Sequence, residues 1–283
     1  MPGWFYLLLL WVSQISSKVV ILSGATGVLG RSLSHAFLQT PLIAGVYAGY
    51  RDVTKLELLP KHGLLNPFAL DLEDVTVGLE TIGKIISKQV SNEIILINNA
   101  AICPVGMDRY TLRHTLQINT LCPIIISKSV AKYVEKYNQI NEEKVKLSII
   151  NISSGDGELV YLQTAFKDEL LKIKSLIELQ DFIFTLHNRN CNDIVYSNGE
   201  TPCYSLSKAL LNRFTVLFSN EIDQTNTRVV SVCPGNFMSS MTASEELTDL
   251  HDLNTVTAGI LSVALDWKHN TGIFYRFGEI IPY

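Results

Sequence analysis

Apolar runs of strand length alternate with stretches of helical periodicity along almost the whole chain, and this alternation restricts the fold more than any other feature. Val19–Leu22, Leu42–Tyr50, Phe68–Leu70, Ile94–Ile97, Leu147–Ile152, Arg228–Val232 and Ile273–Phe277 read as strands. Arg31–Leu38, Asp74–Val90, Tyr110–Tyr137 and Tyr204–Glu221 read as helices between them. Strands that are apolar throughout, rather than alternating, need cover on both faces. The expected fold class is therefore α/β, a Rossmann-like, doubly wound, seven-stranded parallel sheet with ligands beyond the carboxyl ends of the strands. Residues 18–283 fit a single domain, and residues 1–17 form an apolar extension ahead of it. One region breaks the rhythm. Between positions 155 and 202 lie a charged helical stretch, Phe166–Leu186, and a polar, Asn-rich segment, read together as an insertion at the rim of the sheet.

Composition narrows the function classes. A net charge of −4 argues against a nucleic-acid surface. Cys103, Cys122, Cys191, Cys203 and Cys233 are odd in number and contain no C-x-x-C spacing, which reads as free thiols in a reducing compartment. His187, His251 and His269 are scattered and make no metal set. Trp4–Val12 is strongly apolar but too short to span a bilayer as a helix. It reads as a weak membrane-associating segment, an extension packed on the domain, or a cleaved signal lacking the usual positive start; an erroneous start is a further alternative. Asn151-Ile152-Ser153 fits a glycosylation pattern but falls in an expected buried strand.

Several motifs carry chemistry. Ser23-Gly24-Ala25-Thr26-Gly27-Val28-Leu29-Gly30 follows a strand and opens a helix, the context in which glycines let backbone approach a pyrophosphate at a helix N-terminus. At the end of the second strand, Arg51 suits a 2′-phosphate and so NADPH rather than NAD, whereas Asp52 is an alternative ribose ligand. Asp71 either accepts a hydrogen bond from an adenine amino group or caps the helix near Asp74. Asn98-Asn99-Ala100-Ala101 closes the fourth strand with small residues against which a cofactor can lie. Tyr204 and Lys208, four residues apart on a helix, share one face, where the ammonium would lower the phenol's pKa for proton transfer. Read singly, such a pair is an ordinary solvated contact.

Taken in order, these motifs resemble the short-chain dehydrogenase/reductase family from Lys18 to Tyr283. The resemblance implies an oxidoreductase. Asn119 matches the helix asparagine that holds a relay water, Ser154 the substrate-orienting serine, Tyr204 the general acid/base and Lys208 its partner. Cys233-Pro234-Gly235 matches the turn beside the nicotinamide, and Ser239 a carboxamide contact. The implied cofactor contacts are Gly24, Thr26, Gly27, Leu29, Gly30, Arg51, Asp71, Leu72, Asn98, Ala100, Tyr204, Lys208, Pro234, Gly235 and Ser239. Between Ser154 and Tyr204 the numbering advances by 50, a gap similar to that of the monomeric, NADPH-dependent carbonyl reductase branch. That branch implies NADPH/NADP+ as cofactor, with NAD second, a small carbonyl substrate (aldehyde, ketone or quinone), a monomer and a cytoplasmic location. A membrane-associated alcohol, retinoid or steroid dehydrogenase, held through residues 4–12, and a non-catalytic NADPH-binding protein are the alternatives. The sequence departs from the family pattern at Val28, where a glycine is usual, and more mildly at Ser23 and Ala101. Tyr161, Phe166 and Phe237 are candidates for an apolar substrate pocket or for packing alone.

Overall fold

The structure, a computed structural model, describes residues 17–88, 91–106, 108–186, 189, 194, 201–239, 241–242 and 249–283. Trp4–Val12, His187 and Cys191 lie outside the described residues.

Seven parallel strands follow the alternation in the sequence: β1 (Lys18–Leu22), β2 (Ile43–Tyr50), β3 (Leu65–Ala69), β4 (Glu93–Asn98), β5 (Lys146–Ile152), β6 (Thr227–Cys233) and β7 (Phe274–Arg276). An eighth, β8 (Glu279–Ile280), pairs antiparallel with β7. The expected seven-stranded sheet is thus eight-stranded, in the order β3-β2-β1-β4-β5-β6-β7-β8. The extra strand arises because Phe277 (φ 52°) and Gly278 (φ 85°) adopt left-handed backbone and turn the chain back in a hairpin. Strand β3 sits at the sheet edge, which is where Pro67 can be tolerated without costing a ladder bond.

Helices cover both faces. On one face α1 (Val28–Leu38) and α8 (Leu253–Leu265) pack with Val20, Leu22, Ile95, Ile150 and Val230. On the other lie α2 (Thr76–Ser87), α3 (Arg109–Leu116), α4 (Cys122–Ile140) and α7 (Pro202–Glu221), packed with Ile21, Ile94, Leu96 and Ile149. Every residue of β1 and β4 is buried, as the apolar runs require. Asn151 is fully buried in β5, so the glycosylation pattern there is inaccessible.

Two helical expectations change in detail. Tyr110–Tyr137 is not one regular helix; a π-helical turn at Gln117–Leu121 separates α3 from α4. Phe166–Leu186 is two helices, α5 (Thr164–Lys172) and α6 (Leu176–Leu186), because Ile173 takes extended backbone (φ −66°, ψ 126°). Their apolar residues Phe166, Leu170, Leu179 and Ile183 join the same core as Leu206, Leu210 and Phe214 of α7. The insertion therefore covers part of α7. Phe166, a sequence candidate for the pocket wall, is core instead, only 2% exposed.

At the amino-terminal ends of the strands, far from the site described below, Lys18 pairs with Glu93 in a buried ion pair. Glu93 also accepts from Ser148 (3.1 Å) and the Trp267 indole (2.8 Å), which satisfies its lone pairs.

Candidate active site

The carboxyl ends of the central strands open into one cavity of about 390 Å³. Its first wall is the turn from β1 into α1. Gly24 has φ +64°, and a Cβ there would stand 2.8 Å from the Cα of Ala100. A Cβ on Gly30 would stand 2.2 Å from the Gly24 carbonyl oxygen. Both glycines are required by the fold. Gly27 is not: its φ is −70°, and an added Cβ would meet only the Gly24 oxygen, at 3.4 Å. It is exposed, lines the cavity and stands immediately before α1, leaving bare backbone there. No side chain caps α1 and no acid sits in its first turn, so its N–H groups and positive dipole end are free for an anion. Val28, Thr26, Leu29 and Gly30 also line this wall.

Ser23 ties the turn to the tip of β4, its hydroxyl accepting from the backbone N–H of Asn99 (2.9 Å) and Ala100 (3.0 Å). Asn99 returns two bonds, from Nδ2 to the carbonyls of Ser23 (2.9 Å) and Gly24 (3.2 Å), and lines the cavity together with Ala100. Asn98, the expected cofactor contact, does not reach the cavity. It is buried beneath, donating to Asn151 Oδ1 (2.8 Å) and Ser127 Oγ (2.9 Å). The reason is strand alternation: consecutive asparagines at a strand end point to opposite faces.

At the far end Arg51, Asp71 and Leu72 line the cavity, with Lys55 beside them. Asp52 faces away and is committed elsewhere, accepting from Thr54 N (3.0 Å) and Thr54 Oγ1 (2.6 Å). Those bonds hold its carboxyl below the usual range. Asp71 accepts from Glu73 N (3.0 Å), while Asp74, not Asp71, accepts from Thr76 N at the start of α2.

Opposite stand Ser154, Tyr204 and Lys208, all at the cavity wall, with Pro234, Gly235, Phe237 and Ser239 beside them. Gly235 has φ +76°, and a Cβ there would meet the Phe277 ring at 2.8 Å. Lys208 Nζ donates to the Ile152 carbonyl (2.8 Å) and stands 5.5 Å from the centroid of the Tyr204 ring. The expected electrostatics are reversed. Burial pushes the Tyr204 phenol well above its ordinary value, with the charge of Asp156 adding to the rise and a hydrogen bond with Ser154 opposing it. Burial also lowers Lys208, to about 8. The lysine therefore does not create a phenolate here; the tyrosine remains a phenol, which is a proton donor.

Asn119, expected among the catalytic group, does not line the cavity. Its side chain is engaged there: Oδ1 accepts from Ile102 N (2.9 Å), and Nδ2 donates to the Ile102 carbonyl (2.8 Å) and Ser207 Oγ (3.0 Å). It sits in the π-helical turn and clamps the chain leaving β4 against α7, a positioning role.

The sequence reading quoted Asn99 only within the β4-tip motif and gave no site role to Cys103, Ser153, Asp156, Thr201 and Met241, which line the same cavity. Their signal was adjacency: Ser153 and Asp156 flank Ser154, and Cys103 follows the β4 tip. Tyr161 does not line the cavity; Phe237 does. Among the described residues, Cys122 and Cys233 are buried free thiols.

The residues fit a dinucleotide. The cradle at Gly27, the uncapped N-terminus of α1 and the buried Ser153 hydroxyl, which has no hydrogen-bond partner among the described residues, all present unmet capacity to the cavity. No family model matches the sequence, and no curated protein matches it significantly. Solved structures do share its fold. An NADPH-bound carbonyl reductase from chicken fatty liver is 21% identical, covering 94% of this chain and 99% of its own, with a TM-score of 0.69. Salutaridine reductase from Papaver somniferum is 19% identical over 92% of this chain and 99% of its own, with a TM-score of 0.72. The carbonyl reductase Sniffer of D. melanogaster is 22% identical over 95% and 99%, with a TM-score of 0.64.

Proposed function

We propose that this chain, which has the fold of carbonyl reductases and short-chain dehydrogenases, is an NADPH-dependent reductase of aldehydes, ketones or quinones. The observation that carries the reading is convergence. A phosphate-ready helix terminus, an arginine at one end and a Ser154–Tyr204–Lys208 group at the other share a single cavity. When bound, NADPH supplies the hydride for the carbonyl carbon. Tyr204 donates the proton to the carbonyl oxygen, and its raised pKa keeps that proton in place at neutral pH. Ser154 Oγ orients the same oxygen. Lys208, anchored on the Ile152 carbonyl, keeps further N–H donors for ribose hydroxyls. Arg51 would pair with the 2′-phosphate, while the Asp52 carboxylate is engaged by Thr54 and does not line the cavity. The cover that α5 and α6 place on α7 supports a monomer, and the free thiols of Cys122 and Cys233 support a reducing, cytoplasmic location.

The test is nicotinamide consumption with a panel of quinones, aromatic aldehydes, steroids and retinal. At least one class should be reduced, with NADPH preferred to NADH by about tenfold or more, the scale of a charge-assisted phosphate contact. Tight NADPH binding with no carbonyl consumed would make the chain a binding protein instead.

A further inference from the structure

The substrate end of the cavity carries a carboxylate without a counter-ion. Asp156 lines the cavity two residues beyond Ser154, and its Oδ2 accepts from the Ser154 hydroxyl at 3.2 Å. The turn that carries it, Gly155–Gly157, is built into α7. A Cβ on Gly157 would stand 2.8 Å from the backbone carbon of Lys208, and the Gly157 carbonyl accepts from Asn212 Nδ2 at 3.2 Å. The acid is thus held beside Tyr204 and Lys208 and is not carried on a free loop. Its charge is felt by both side chains. The neighbouring acid is neutralised: Glu158 pairs with Arg276 at 3.4 Å. Among the described residues Asp156 has no cation within ion-pair distance, and Lys208, the cation at this end of the wall, is turned to the Ile152 carbonyl. The other charged lining groups, Arg51, Lys55 and Asp71, stand at the far end.

From this geometry we infer that Asp156 selects carbonyl substrates that also carry an ammonium group, a few carbons from the carbonyl. The inference rests on the reductase reading of the same site. A carbonyl oxygen that accepts from the Ser154 hydroxyl takes the one proton now given to Asp156 Oδ2 and leaves that carboxylate oxygen open to a new donor. An ammonium on a short tether reaches the carboxylate from the same bound pose. It also offsets the repulsion that Asp156 would exert on negative charge building at the carbonyl oxygen during reduction. A substrate bearing a carboxylate near its carbonyl meets like charge and is rejected.

The test compares 3-(dimethylamino)propiophenone, cationic at neutral pH, with its uncharged isostere isohexanophenone, in NADPH-supported turnover of the full chain. The ratio of kcat/KM, amine over isostere, should be about 10 in the wild type at low salt and should fall as ionic strength rises, since the pairing is partly exposed. In Asp156→Asn the ratio should drop to about 1, and in Asp156→Glu it should remain above that of the amide. Comparing the two substrates within each variant removes any general effect of the substitution on Ser154 or on folding. The same ratio in wild type and Asp156→Asn, or a wild-type ratio indifferent to salt, overturns the inference while leaving the reductase reading intact. Failure to reduce these two ketones and every carbonyl of the wider panel overturns that reading, and this inference with it.

Discussion

Tyr204 and Lys208 share one face of α7, yet enclosure moves their pKa values in opposite directions, the phenol up and the ammonium down. The pair therefore starts as a neutral acid beside a lysine that sheds its proton near pH 8. The kcat/KM for reduction should fall as pH rises through about 8, because the charged lysine is the form that holds cofactor hydroxyls and favours the developing phenolate. Stability follows the opposite course. In the unfolded chain a lysine keeps its proton to about pH 10.4, so above about 8 the unfolded state binds more protons and this group's contribution to stability rises with pH. Lys208→Met removes a buried cation that, among the described residues, has no carboxylate within ion-pair distance. It should raise the melting temperature at pH 7 while reducing turnover at least about 100-fold, the scale of lost acid–base assistance. Calorimetry and steady-state kinetics on one preparation check both; a variant that melts lower and still turns over would contradict the assignment.

At the scale of elements, the turn from β1 into α1 separates two kinds of glycine. Gly30→Ala places a Cβ 2.2 Å from a backbone oxygen, which cannot be relieved without moving the turn. Gly27→Ala has 3.4 Å to its nearest neighbour and is tolerated by the fold, but it fills the bare backbone at the cavity. The first should cost about 2 kcal/mol or more of stability, as overpacking does, while the second should stay folded and weaken NADPH binding. Denaturation midpoints and NADPH titration distinguish them, and equal effects of the two would contradict this account of Gly27. Element type and order were legible in the sequence because buried strands read as unbroken apolar runs. What escaped was set by contacts between distant residues. The break at Ile173 and the π-helical turn around Asn119 leave no periodic trace, since both serve packing against α7. Asn98 and Asn99 are chemically identical, and only strand register decides which one meets the cavity. The β7–β8 hairpin hid because Phe277, rather than a glycine alone, adopts left-handed backbone.

On the scale of the whole molecule, the sheet, its two helical layers and the insertion all serve one cavity with two chemically distinct ends. Loops at the carboxyl ends of β1, β2 and β4 build the anion-receptive end; those after β5 and β6, with α7, build the proton-donating end. Motif order in the sequence conveyed this division well. The wall residues Asp156 and Cys103 did not stand out, because a lone acid or thiol acquires meaning only when the fold brings it within reach of Tyr204. The central claim is that Tyr204 supplies the proton at one end while cofactor affinity is built at the other. NADPH titration and NADPH-supported carbonyl reduction, measured side by side on wild type and Tyr204→Phe, test it most directly. The account predicts that Tyr204→Phe binds NADPH within a few-fold of wild type and loses about 10²–10⁴-fold in kcat; turnover retained in that variant would contradict it.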